Sequence, residues 1–225
     1  SSAASDVYKR QGLLLLMSKF FFVERKSKDI NSPLIILIHG YGSNEKDLFS
    51  LIDYLPKEAY IISLRGPIEL FNNSYAWYDI YVDANNKFYD HEGAKKIRDE
   101  LSKFIDEIIK HPNIDSDNIT LIGFSQGAIL SHAISYSYPG KIKNIMALSG
   151  VIDEKIMKRA DSKPKTNIYI SHGTNDNMID YHISRESLNF YKSKDIDFTF
   201  ESYDQGHGIN EKNLKSLIIW LKEKI

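Results

Sequence analysis

The sequence predicts an α/β fold: a mostly parallel, doubly wound sheet with helices on both faces. Three observations carry this. Short apolar runs of strand length alternate with helix-period segments from Leu34 to the C-terminus. The run Leu34–Ile38 is apolar without alternation, as in a central strand covered on both faces. The run Ile119–Ile122 passes through Gly123-Phe124-Ser125-Gln126-Gly127 directly into helix formers, so a sharp strand-to-helix turn is built around one serine.

Taken in order, residues 1–16 show no periodicity that continues downstream, and Met17 offers a new start. Lys9-Arg10 ahead of Leu13–Leu16 imitates a signal peptide only faintly, because Ser18-Lys19 interrupts the apolar run. The expectation is a non-native, disordered extension over 1–16 and a single domain over 17–225. Phe20–Glu24 reads as a first strand and Leu34–Ile38 as a central one, ending in the loop His39-Gly40-Tyr41-Gly42. A helical pattern covers Asp47–Leu55, Tyr60–Leu64 is the next strand, and Phe71–Phe88 reads as aromatic and irregular. Ile97, Leu101, Phe104, Ile105, Ile108 and Ile109 form one apolar stripe on a helix across Glu92–Lys110.

After the Ser125 turn, the helix is ended by Pro139-Gly140, and Ile145–Leu148 is a strand. Val151–Lys165 reads as a short helix and a surface loop. Asn167–Ser171 is a strand leading into His172-Gly173-Thr174-Asn175-Asp176. Ile183–Tyr191 is helical, Phe198–Tyr203 alternates like a strand, and Leu214, Leu217, Ile218, Leu221 and Ile225 keep helical spacing to the end. The connections are short, so no large inserted cap domain is expected.

The totals exclude several classes. A chain of 225 residues is long enough for one large core. A net charge of -1 argues against nucleic acid or an anionic membrane as partner. With no cysteine there is no disulfide, thiolate metal site or cysteine nucleophile, a composition compatible with a reducing compartment. A cytoplasmic location is expected on that basis. Four leucines cannot span a bilayer and no helix is basic and amphipathic, so stable membrane insertion is not expected. Nothing in the sequence sets an oligomeric state.

In an open α/β sheet, ligands bind beyond the carboxyl ends of the strands. Four unusual segments fall there: the loop at 39–42, Ser125, Asp176 and His207. Ser125, Asp176 and His207 follow one another in the nucleophile–acid–base order of α/β-hydrolases. A serine hydroxyl is a poor nucleophile near neutral pH, so His207 would take its proton while Asp176 holds the imidazole and stabilises its charge. His172 is the rival base. His39 and His172 each precede a glycine at a strand end, where an imidazole more often hydrogen-bonds neighbouring loops. Asp180 and Asp153 are rival acids, although Asp180 is well placed to cap the following helix. A metal set of His39, His172 and His207 has no H-E-x-x-H or carboxylate-rich cluster behind it, so no metal is expected. Two backbone donors are required for an oxyanion, and the N–H groups of Gln126 and Tyr41 are the candidates.

The sequence resembles the phospholipase/carboxylesterase family, which includes acyl-protein thioesterases. The matching pieces are His39-Gly40-Tyr41-Gly42 with Asp47-Leu48, Arg65-Gly66-Pro67, Ala76–Ile80, Gly123–Ala128, Leu148-Ser149-Gly150, His172–Asp176 and Gly206-His207. The resemblance implies the α/β-hydrolase fold and cofactor-free hydrolysis of a small-molecule ester or thioester of a simple acyl group. It gives Ser125, Asp176 and His207 as the triad, with Tyr41 and Gln126 as oxyanion donors. Trp77 would then lie beside the acyl pocket, with core packing or loop anchorage as its alternative, and Met178 would line the same cleft. Tyr41 departs from the family, which commonly carries an aliphatic residue there, and so does the short tyrosine-rich stretch after Pro67. Lysophospholipase or aminopeptidase-like activity on the same triad is the nearest alternative. A non-catalytic binding module on a hydrolase scaffold is the alternative from another class.

Overall fold

A computed structural model describes residues 19–83 and 86–225. The expected extension over 1–16 lies outside the described residues. The chain forms a seven-stranded sheet in the order β1-β3-β2-β8-β9-β10-β11. Its strands are β1 (Phe22–Arg25), β2 (Ser32–Ile38), β3 (Tyr60–Leu64), β8 (Ile114–Phe124), β9 (Asn144–Leu148), β10 (Asn167–Gly173) and β11 (Thr199–Tyr203). Only β1 is antiparallel to its neighbour, pairing Phe22 with Leu64, while the other pairs are parallel. This is the α/β-hydrolase arrangement.

Burial explains the sequence patterns. Leu34, Ile36, Ile38 and Leu121 face one core layer, under α2 (His91–Ile108) and α3 (Gln126–Ser137). Ile35, Leu37, Ile61 and Ile122 face the other, under the single-turn α1 (Lys46–Phe49) and the closing helix α6 (Glu211–Lys224). A strand covered on both sides has no polar face to alternate with, hence Leu-Ile-Ile-Leu-Ile. Each fully buried aliphatic side chain contributes about 1.5–3 kcal/mol. Helix α2 starts at Asp90, whose side chain accepts from Gly93 N. It buries Ile97, Leu101, Phe104, Ile105 and Ile108, five of the six stripe residues.

Four expectations need correction. Phe71–Phe88 is not irregular throughout: most of its described residues belong to two antiparallel strand pairs, β4 (Ile68–Phe71) with β5 (Ser74–Ala76), and β6 (Ile80–Asp83) with β7 (Asn86–Tyr89), and Trp77-Tyr78-Asp79 link them. The first turns at Asn72-Asn73, where Asn73 takes a φ of 57°, a conformation asparagine tolerates well. Asp47–Leu55 is helical only over its first turn and continues as turns. Ile183–Tyr191 divides into α4 (Tyr181–Ser187) and α5 (Asn189–Ser193). Strand β8 begins at Ile114, well before Ile119, its polar lead-in pairing only at Ser32 with Ile114 before a register shift.

The strand order places the working edge. From β2 the chain steps outward to β3, whereas from β8 it steps the other way, to β9 and β10. The switch point therefore lies between β2 and β8, which pair through Ile38 and Gly123. Their carboxyl ends carry the loop at 39–43 and the Ser125 turn.

Candidate active site

Ser125 sits at φ 53° and ψ -114°, outside the ordinary basins for an L-residue, a conformation that costs about 1–3 kcal/mol. The neighbours explain why the turn holds. A Cβ on Gly123 would stand 2.3 Å from Gly127 O, and one on Gly127 would stand 1.9 Å from Ile38 O. Neither position admits a side chain, so helix α3 can begin hard against the strand ends. Ser125 N donates to Leu148 O at 2.8 Å, anchoring the turn to β9. Ala128 N and Ile129 N both donate to Ser125 O, starting the helix. The serine hydroxyl does not cap that helix and is left to other partners.

Two backbone donors flank this residue. Gln126 is the first residue of α3, where N–H groups have no intrahelical acceptor. Tyr41 follows Gly40, whose position is so close to the turn that a Cβ there would be 3.2 Å from both Phe124 Cδ1 and Ser125 Cβ. Among the described residues, neither Tyr41 N nor Gln126 N donates to a protein acceptor. The loop and the helix start are braced together. Gln126 Oε1 accepts from Trp77 N at 2.9 Å, and Gln126 Nε2 donates to Tyr78 O at 2.8 Å. Trp77 Nε1 in turn donates to His39 O at 2.8 Å.

Asp176 and His207 are joined. His207 Nδ1 donates to Asp176 Oδ2 at 2.7 Å, which leaves Nε2 on the far side of the ring. The ring packs against Phe124, centroid to centroid 4.9 Å, beside the residue that precedes Ser125. The carboxylate accepts on its other oxygen from Met178 N at 2.8 Å and Ile179 N at 3.0 Å. Burial works to raise its pKa, but the hydrogen bonds from Ile179 N, His207 and Met178 N prevail and hold it below the ordinary carboxylate value. It stays ionised where a protonated imidazole beside it needs a counter-charge.

The rival residues have other partners. His172 is wholly buried and donates from Nε2 to Ile179 O at 2.8 Å, with Asp176 Oδ2 at 3.3 Å. His39 accepts from Gly66 N on Nε2 and bonds Gly40 O through Nδ1. Both imidazoles thus serve neighbouring loops. His132 is buried against Tyr191 in the α3 layer, and His91 pairs with Asp153. Asp180 caps α4 through His182 N and Ile183 N, and Asp153 caps the turn at Glu154–Ile156. Trp77 is 1 % exposed, and its indole N–H ties its loop to the backbone at His39. Met178 is 55 % exposed, and its backbone N–H holds the acid. The direct tie of His172 to Asp176 and the double brace of Gln126 were missed in the sequence. The first had a visible signal, a His-Gly at a strand end four residues before an aspartate.

Among the described residues no group of three metal-ligating side chains gathers, and no helix is long and apolar enough to cross a membrane. A family model described as phospholipase/carboxylesterase matches residues 19–225. Acyl-protein thioesterase 1 of Candida albicans is 29 % identical over 210 residues, covering 84 % of this chain and 90 % of its own. A probable carboxylesterase of Oryza sativa subsp. japonica is 26 % identical over 213 residues, covering 87 % of this chain and 79 % of its own. Among solved structures, a Bacillus cereus carboxylesterase aligns with a TM-score of 0.82 at 24 % identity, covering 95 % of this chain and 98 % of that one.

Proposed function

The chain belongs to the phospholipase/carboxylesterase family and is a serine hydrolase, and from that premise we propose that it cleaves esters or thioesters of simple acyl groups through an acyl-enzyme on Ser125. Ser125 Oγ attacks the acyl carbon while His207 Nε2 takes its proton. The new C–O bond forms as the carbonyl π bond opens, and the charge on oxygen is met by the N–H groups of Tyr41 and Gln126. Asp176 stabilises the imidazolium. His207 then returns the proton to the departing alcohol or thiol as the tetrahedral intermediate collapses. Water, deprotonated by the same nitrogen, releases the acid and restores the serine.

The observation that carries this reading is the 2.7 Å Asp176–His207 bond behind a strained serine flanked by two unengaged N–H groups. The names of the relatives, thioesterase and carboxylesterase, support the substrate class. Ser125→Ala is the direct test, measured on p-nitrophenyl esters of increasing chain length with a thioester for comparison. Turnover should fall on the order of 10⁶-fold, and stoichiometric labelling by a fluorophosphonate should vanish. Full activity in S125A would remove Ser125 from the mechanism.

A further inference from the structure

We propose that His39 is a positioning residue for the oxyanion site: its neutral imidazole, protonated on Nδ1, sets the orientation of the Gly40–Tyr41 peptide and so aims Tyr41 N–H at the reacting oxygen. The inference rests on the reading of Ser125 as nucleophile and Tyr41 N–H as donor given above.

Gly40 stands next to the serine turn. Its Cα lies so near the serine that a Cβ would stand 3.2 Å from Phe124 Cδ1 and from Ser125 Cβ, a contact that would push on both, and glycine avoids it. Glycine carries a liability with it. It crosses φ/ψ regions closed to other residues, so the peptide that follows can rotate at little steric cost. Half a turn of that peptide exchanges the places of Gly40 C=O and Tyr41 N–H. A carbonyl oxygen would then face the developing anion, which is worse than no donor. Something must select one orientation.

The hydrogen bonds identify what does. In a planar trans peptide the C=O and the following N–H point in opposite directions. Gly40 O is held at 2.7 Å from His39 Nδ1, with Ser43 N at 3.3 Å as a second, longer donor. Tyr41 N–H therefore points away from the His39 ring and is left without a protein acceptor. Tyr41 itself contributes little to the choice, since 41 % of it is exposed.

The protonation state of the ring follows from its other edge. Gly66 N can only donate, and it lies 2.9 Å from His39 Nε2, so that nitrogen carries no proton. The proton of the neutral ring is then on Nδ1, where a carbonyl oxygen awaits it. Burial lowers the pKa of His39, which favours the neutral ring. Both ring nitrogens are committed to backbone groups, so His39 is closed to proton transfer with substrate. Its ring also packs against Trp77 at 5.1 Å between centroids, while the Trp77 indole holds His39 O. Through Trp77 N and Gln126 Oε1 the same brace reaches the second donor.

Two substitutions separate the two edges of the ring. In H39N the amide nitrogen can take the place of Nδ1 and keep the bond to Gly40 O, while the Gly66 contact is lost. In H39Q the amide reaches Gly66 N, and the Gly40 bond is lost. With p-nitrophenyl butyrate, H39Q should lose ~10²–10³-fold in kcat with KM within about threefold, the signature of a lost oxyanion donor. H39N should recover most of that loss. Inhibition by an alkyl boronic acid, whose tetrahedral adduct on Ser125 places an oxygen in the same site, should weaken in H39Q in parallel with kcat. Equal losses in both variants, or a loss confined to KM, would overturn the proposal.

Fluorophosphonate labelling of the unmodified protein at Ser125 separates this outcome from failure of the underlying reading. If Ser125 is not labelled, the nucleophile assignment is what falls. Long-range 1H–15N correlation of the histidine rings in the unmodified protein gives a test independent of any variant's folding. His39 should appear as the Nδ1–H tautomer, and an Nε2–H ring would refute the proposal.

Discussion

Two histidines approach the same oxygen of Asp176, and their difference separates a candidate catalytic group from a structural one. His207 comes at 2.7 Å through Nδ1, with 18 % of its side chain open to solvent. His172 comes at 3.3 Å through Nε2, with none exposed. The first keeps Nε2 out of that contact, on a ring that packs against Phe124, the residue before Ser125. The second spends its donor on Ile179 O, and its remaining nitrogen is buried without a partner. Proximity to the acid is therefore a poor guide to role. What matters is which nitrogen the aspartate occupies and whether the other can reach a reacting atom.

The largest expected effect breaks the pair at its reactive member. His207→Ala should lower kcat/KM by roughly 10⁴–10⁶-fold, since a base and its nucleophile act as a unit. Its stability, followed by urea denaturation, should move little, because the ring is partly exposed and makes one side-chain hydrogen bond. A variant that loses less than tenfold would return the base to His172.

The next effect reverses the balance. His172→Leu keeps the volume but strands Ile179 O, at a cost of about 1–3 kcal/mol in unfolding free energy. Turnover by the folded fraction should suffer far less than in H207A. If H172L matched H207A in activity while remaining as stable as the parent, the roles given to the two rings would be reversed.

How much of this was readable in advance divides along similar lines. The central strands were legible because burial on both faces leaves unbroken apolar runs, as at Leu34–Ile38 and Ile145–Leu148. The serine turn was legible because its steric demands admit only glycine at 123 and 127. Asp180 was read as a cap and is one. The hairpins were not legible. Ile68–Phe71 alternates half-buried with exposed, yet Leu70 and Phe71 put apolar side chains on both faces, so the period-2 signal is blurred. The Asn72-Asn73 pair was the available turn signal. Trp77 illustrates a different gap: composition marks an aromatic, but the anchor of its indole N–H lies 38 residues away, at His39 O. The same holds for His39 and His172, whose positions before glycine suggested loop contacts without saying which nitrogen would be used.

The smallest effect reports the charge of the buried ring directly. Burial lowers the pKa of His172, so the folded state keeps it neutral under conditions where the unfolded chain has begun to protonate it. The sign follows from the proton count. Below about pH 6.5, the ordinary histidine value, the unfolded state binds a proton that the folded state does not, so stability falls as pH falls. His132, pushed down to about 3 by burial, and His39, lowered for the same reason, contribute in the same direction. The parent should therefore lose unfolding free energy steadily between pH 6 and pH 5, before carboxylates such as Asp176 begin to titrate. H172L removes one of these groups, and its slope over that interval should be shallower than the parent's. Urea midpoints at several pH values measure this without reference to catalysis. Parallel slopes would mean that His172 is charged in the folded protein, and a charged ring against Asp176 would make it an ion-pair partner of the acid instead of a neutral brace.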